Sequence, residues 1–401
     1  MLLPVIDRGD RSLRDHLSQV GAAATVNSDL HYQRWIWWPE REDLSLEFTR
    51  LLASAQEGGA TFSECWLTAS RIDFTGDDGD DSWHREWTAT AEVNRGRALS
   101  AAAQGHPATA RSNWLRAINY YLTAAYAFDL SPDKRRSALA SMRECAANYL
   151  NCREPRGEVV SIPWLSEFAL QGYYLPAPAS GDAAPVVICI GEPGHHKEEF
   201  LFKLARHASE RGMALLAVDI LGDDTGLTFE EVSLRHKPEH AIAPIMDYLI
   251  GRDDVDERRI AILAYGWSSS FVARGIAFDH RFAAAVCDGG IWDLHLGSFL
   301  DPQNRPFDVE PCPELQADRI LMSIKCPLLV AASARGGLKA DRIAELTDRL
   351  RAGRGDRDVT VEISEGTETA AGQGRSDNPI LANEFIFDWI ASRIGAQSLI
   401  I

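Results

Sequence analysis

Ile260-Ala261-Ile262-Leu263-Ala264-Tyr265-Gly266-Trp267-Ser268-Ser269-Ser270 is the stretch on which the reading of this chain turns. Its opening residues form an unbroken apolar run, as a parallel strand buried on both faces requires. A Gly-x-Ser follows, and Phe271-Val272-Ala273-Arg274-Gly275-Ile276 then reads as helix. Strand, Gly-x-Ser-x-small and helix, in that order, mark a nucleophile elbow: a sharp turn that lifts a serine hydroxyl above the sheet, over a helix N-terminus. Small neighbours are needed there because the turn draws backbone atoms together. On this reading Ser268 stands at the apex with its hydroxyl exposed, and Ser270 replaces the usual second glycine.

Working outward, strands are predicted at 157–164, 169–175, 185–190, 214–220, 259–264, 283–288, 327–332 and 359–364. Pro185-Val186-Val187-Ile188-Cys189-Ile190, Ala214-Leu215-Leu216-Ala217-Val218 and Leu328-Leu329-Val330-Ala331-Ala332 are continuously apolar. Helical patterns separate most of the later strands, so the expected sheet is mostly parallel and covered on both faces. Ligands of such sheets bind at the carboxyl ends of the strands, where Ser268, Asp288, the loop after Gly191 and the loop after Ser333 converge.

Before residue 155 the pattern is different. Segments 45–55, 82–104, 108–128 and 132–150 place apolar residues at three-to-four spacing, the mark of amphipathic helices. Two units follow: a helical cap over 1–155 and an α/β domain over 156–401. Seven of the eleven tryptophans (Trp35, Trp37, Trp38, Trp66, Trp83, Trp87 and Trp114) lie in the first. They either pack the helices together or, at Trp35-Ile36-Trp37-Trp38-Pro39, wall a pocket for a flat ligand or form a dimer contact.

Composition narrows the classes of function. A formal net charge of -17 argues against nucleic acid or an anionic membrane as main partner. No basic leader and no apolar run of spanning length is visible, so the expected location is cytoplasmic. Seven cysteines without a CxxC pair read as free thiols. Asp73-Phe74-Thr75-Gly76-Asp77-Asp78-Gly79-Asp80-Asp81 lacks the closing Glu of a calcium loop. No phosphate loop, dinucleotide fingerprint or zinc spacing occurs, and no cofactor or metal is implied.

With these residues in place, the chain resembles the α/β-hydrolase superfamily, an α/β fold with a mostly parallel eight-stranded sheet. It is most similar to the group with an N-terminal all-helical cap domain, which includes 2,6-dihydroxypseudooxynicotine hydrolase, FrsA-like esterases and polyketide-shortening pigment hydrolases. The resemblance rests on Trp83-His84-Arg85-Glu86-Trp87, Asn113-Trp114-Leu115-Arg116-Ala117-Ile118-Asn119-Tyr120-Tyr121, Lys197-Glu198-Glu199, Arg211-Gly212-Met213-Ala214 and the elbow. It implies cleavage of esters, or of carbon–carbon bonds beside a ketone, in aromatic or polyketide-like molecules, with the helical domain closing over the site.

The resemblance also implies an acid after the strand at 327–332 and a histidine after the last strand. Here the first loop reads Ser333-Ala334-Arg335-Gly336-Gly337-Leu338 and the second Ser364-Glu365-Gly366-Thr367-Glu368-Thr369, and no histidine follows His295. A serine hydroxyl without a base is a poor nucleophile. Asp288 at the end of its strand, His195 and His196 after Ile190, His295 beyond Asp288, and Glu368 are the candidate replacements. The oxyanion donors expected are the N–H of Ser269 and one from Glu192 or Gly194, Pro193 having none.

Three functions follow. The first is hydrolysis or acyl transfer through Ser268 on an aromatic or polyketide-like small molecule, free or delivered by a carrier protein. The second is a non-hydrolytic cyclisation, elimination or retro-Claisen cleavage using the oxyanion hole and Glu368 or Asp288. The third is ligand binding without chemistry. A homodimer is compatible with each.

Overall fold

The computed structural model of the protein describes residues 36–75, 79–166, 169–178, 183–191, 194–220, 237–266, 268–289, 322–333, 348, 351–352, 358–364 and 378–396. Five helices come first: α1 (Glu42–Ala53), α2 (Phe62–Ala69), α3 (Gly79–Ala103), α4 (Pro107–Tyr126) and α5 (Pro132–Asn151). Their starts are written locally. Thr61 caps α2 through its side chain at the Glu64 N–H, Ser131 caps α5 at the Lys134 N–H, and proline opens both α4 and α5. Proline suits that position because the first N–H of a helix has no intrahelical partner to lose. The short α2 was absent from the expected elements; eight residues give little more than two turns of periodicity to read.

All eight strands are present as β1 (Glu158–Pro163), β2 (Ala169–Leu175), β3 (Ala184–Ile190), β4 (Ala214–Asp219), β5 (Val255–Tyr265), β6 (Ala284–Asp288), β7 (Leu328–Ser333) and β8 (Val359–Ser364). They form one sheet in the order β1-β2-β4-β3-β5-β6-β7-β8. β2 runs antiparallel to β1 and β4, and every pairing from β4 through β8 is parallel. The continuous apolar runs are explained by burial on both faces: every residue of β3, β4 and β6 is buried.

Side-chain alternation divides the core. Val186, Ile188, Ile190, Leu216, Val218, Ile260 and Ile262 face α8 (Ile242–Ile250) and α9 (Ser268–Phe278). Val187, Cys189, Leu215, Ala217, Ala261 and Leu263 belong instead to a core shared with α6 (Glu199–Lys203), α7 (Ala205–Glu210), α10 (Pro379–Ile394) and the N-terminal helices. The helical segment and one sheet face therefore enclose common apolar material.

The tryptophans resolve toward packing. Trp38 meets Phe48, Phe74 and Trp83 edge-on at centroid distances of 5.4–5.7 Å, and Trp87 stacks on Tyr120 at 5.7 Å. Trp83, Trp87 and Trp114 are buried. Trp35 lies outside the described residues. Among the described cysteines none is disulfide-bonded, and burial pushes the Cys65 and Cys145 thiols up to about 12. Among the described residues no helix is long and apolar enough to cross a membrane.

Candidate active site

Parallel register brings the carboxyl ends of β4, β3, β5 and β6 to one edge. Val218 pairs with Ile190, Ile190 with Ala264, and Tyr265 with Asp288. Asp219, Gly191, Gly266 and Asp288 thus end or follow neighbouring strands at the edge where α/β sheets hold ligands.

The elbow is present, but its apex is not Ser268. β5 ends at Tyr265 and α9 starts at Ser268, which leaves the turn to Gly266 and Trp267, the latter outside the described residues. Gly266 has φ +53°, the left-handed conformation that the strand-to-helix reversal requires. Its N–H donates to the Asp288 carbonyl at 2.6 Å, and the Gly289 N–H donates to the Ala331 carbonyl at 2.9 Å. A Cβ on Gly289, itself at φ +126°, would lie 2.8 Å from the Gly266 Cα. The turn is consequently packed backbone against backbone and accepts glycine at both positions.

Two expectations are corrected by this geometry. Ser268 is fully buried rather than exposed, and its hydroxyl donates to the carbonyls of Tyr265 at 2.6 Å and Ile190 at 3.2 Å. The Ser269 N–H, expected to be an oxyanion donor, donates to the Gly266 carbonyl at 3.2 Å as part of the opening turn of α9. The physical reason is conformational. A left-handed turn falls without strain on glycine, so Gly266 takes the apex and Ser268 becomes a helix residue that anchors β5 to β3. The sequence carried this signal, because Ala264-Tyr265-Gly266-Trp267-Ser268 also places small residues two before and two after a central position.

The other candidates divide by location. Asp288 is buried at the end of β6. Gly194 is described, at φ +84°, whereas Glu192, His295 and Glu368 lie outside the described residues. His195 stacks on Phe200 at 4.5 Å, and Phe200 on Tyr265 at 5.7 Å. Its Nε2 lies 3.5 Å from Glu199 Oε1, and its buried Nδ1 has no hydrogen-bond partner among the described residues. Burial lowers the His195 pKa to about 4 in spite of the neighbouring Glu199, so the imidazole is neutral at pH 7. An unfolded histidine titrates near 6.5. The unfolded chain therefore binds more protons between pH 6.5 and 4, and stability falls as pH drops through that window, by at most about 3 kcal/mol. Replacing His195 with phenylalanine is expected to flatten this part of the pH–stability curve, measured by urea denaturation at pH 7, 6 and 5.

Beside His195 lies a group of charges that sequence reading did not assemble. Lys197 Nζ sits 3.1 Å from Asp219 Oδ2 and 3.4 Å from Glu198 Oε1, which also accepts the Tyr173 hydroxyl at 2.6 Å. All four residues are buried. Burial holds the Asp219 carboxyl above its usual range against the pull of Lys197, while Lys197 and Tyr173 bring Glu198 below its own. His196 adds its field to both carboxylates. Only the adjacent Lys197-Glu198-Glu199 hinted at this cluster; its partners come from β2 and β4. Among the described residues no group of three or more His, Cys, Asp or Glu side chains could hold a metal ion.

No family model matches the chain. It is 31% identical over 296 residues to an alpha/beta hydrolase, ucsC, of Acremonium sp, covering 68% of this chain and 57% of that protein. It is 26% identical over 264 residues to the hydrolyase poxO of Penicillium oxalicum, covering 63% of this chain and 62% of that protein. The chain thus spans about three fifths of the length of these curated relatives. Among solved structures, that of 2,6-dihydroxy-pseudo-oxynicotine hydrolase superposes with a TM-score of 0.66 at 16% identity, over 86% of this chain and 97% of that one. Sheet order, helical segment and relatives agree, and the chain belongs to the α/β-hydrolase superfamily, in the group with a helical N-terminal region.

Proposed function

We propose that this protein is an α/β-hydrolase-family enzyme that acts on a carbonyl-bearing, aromatic or polyketide-like small molecule without forming an acyl-enzyme on Ser268. The observation that carries this reading is the elbow itself. A glycine occupies the turn, and the serine hydroxyl two residues on is buried and donates to two backbone carbonyls. A nucleophile needs both access to the carbonyl and a base for its proton; the Ser268 hydroxyl instead gives its hydrogen bonds to the Ile190 and Tyr265 carbonyls. The chemistry that remains is polarisation of the carbonyl with proton transfer by a carboxylate, as in elimination, cyclisation or retro-Claisen cleavage. Asp288, which ends β6 paired with Tyr265 next to the turn, is the carboxylate we assign to this proton transfer.

The test is intact-protein mass spectrometry after exposure to a fluorophosphonate, together with turnover of p-nitrophenyl acetate. The expected results are no stoichiometric adduct, and a Ser268→Ala variant within about threefold of wild type. A second reading, hydrolysis or acyl transfer through Ser268, draws support from relatives named as hydrolases. It requires an adduct that disappears in Ser268→Ala, and that outcome would replace the first reading.

A further inference from the structure

Buried charge on the helical segment reaches the loop after β3 through a short series of contacts. Arg50, on α1, makes a bidentate pair with Glu47, at 2.7 Å from Nε to Oε2 and 2.5 Å from Nη2 to Oε1. Its Nη2 also lies 3.3 Å from the Asn119 side-chain oxygen of α4. Its remaining nitrogen, Nη1, lies 3.3 Å from Glu199 Oε2 on α6. Glu199 is held as well by Lys203, and its other oxygen lies 3.5 Å from His195 Nε2. Burial alone would raise the Glu199 carboxyl, but the cations Lys203 and Arg50 keep it well below the usual carboxylate range, so it is ionised.

The far edge of the His195 ring rests on Gly191. A Cβ built at Gly191 would fall 2.4 Å from His195 Nδ1 and 2.6 Å from its Cγ. Gly191 follows Ile190, whose carbonyl accepts the Ser268 hydroxyl. The arrangement has a cost, since the buried Nδ1 has no hydrogen-bond partner among the described residues. A phenylalanine would fill the same volume without that loss. What imidazole adds is a polar edge that faces Glu199 while the ring supports the loop.

We propose that His195 is a positioning residue for the loop after β3, and that the series Glu47–Arg50–Glu199–His195–Gly191 makes the helical segment set the conformation of that loop. The inference rests on the reading above only in taking the loop to border the ligand site. Arg suits the central place because its fork engages Glu47 with one pair of nitrogens and leaves another for Glu199, which lysine's single ammonium cannot do.

Hydrogen–deuterium exchange of the peptide spanning 186–198, read without substrate, tests the series. Gly191→Ala is expected to speed exchange there at least tenfold, His195→Ala to speed it likewise, and Gly191→Ala to add little in the His195→Ala background, where the ring it displaces is already gone. Glu47→Gln with Arg50→Met removes the charge while keeping the volume, and is expected to speed exchange in the same peptide at least tenfold while leaving the β5–α9 peptide unchanged. If that pair does not fold, Arg50→Lys replaces it, with a several-fold effect confined to the same peptide. Equal damage from Gly191→Ala in both backgrounds, wild-type exchange in the Arg50 variants, or faster exchange spread over the whole molecule would each overturn the proposal. Because no substrate or covalent probe enters the measurement, its failure is distinct from failure of the proposed function.

Discussion

Arg50→Ala is expected to lower the unfolding free energy by about 3–5 kcal/mol, the scale for removing one member of a buried ion pair. The size follows from what is left behind. The Glu47 and Glu199 side chains are only 4% and 10% exposed, and both direct oxygens at the Arg50 guanidinium. Truncation takes from Glu47 its bidentate partner and leaves Glu199 with Lys203 and the His195 edge. Burial would otherwise lower the Arg50 pKa, yet Glu47 and Glu199 raise it, so the guanidinium keeps its charge through these two partners. Equilibrium urea denaturation at pH 7 measures the effect. Arg97→Ala is the control: its pair with Glu64 has a half-exposed arginine, and the expected change is under about 1 kcal/mol. Equal effects at the two sites would mean that the buried pair is not held as described.

Gly289→Ala is expected to be nearly as damaging, for a reason that involves no charge. At φ +126° an L side chain is strained, at about 1–3 kcal/mol. Its Cβ would also lie 2.8 Å from the Gly266 Cα and 3.0 Å from the Gly266 carbonyl oxygen. Overpacking of this kind adds about 1–3 kcal/mol, and here backbone rather than a flexible side chain must move. The displaced atoms are those of the elbow apex, so turnover is expected to fall along with stability. Gly251→Ala serves as comparison, since the nearest atom its Cβ would meet is the Asp247 carbonyl oxygen one turn back at 3.5 Å and its φ is negative. A Gly289→Ala protein with wild-type stability would show that the two turns do not meet as closely as the structure places them.

The apolar runs of β3, β4, β5 and β7, with helical periods between them, were enough to fix a doubly covered parallel sheet. Strands buried on both faces have no polar side to show, and this leaves a signature that needs no partner to interpret. The four long helices before residue 155 were equally legible through their spacing and, for α4 and α5, proline at the first turn. Family membership followed from the same stretches. The short α2 escaped because so few residues carry little periodicity.

The site was legible only as a neighbourhood. Gly-x-Ser identified the elbow, yet which residue occupies its apex depends on where the backbone reverses, and that is set by Gly289 closing on Gly266 from the next strand. Within residues 260–270 the small-residue spacing fits an apex at either Gly266 or Ser268, and only glycine's ease at positive φ favours Gly266. The network from Glu47 to His195 joins residues up to 149 positions apart, and Lys197 meets Asp219 after two intervening helices and the length of β4. Local sequence thus determined the elements and their layers, because periodicity and burial are properties of each segment. Tertiary structure alone decided which hydroxyl is hidden, which glycine turns the chain and which charges are paired, because each of these depends on an approach between segments that sequence spacing does not record.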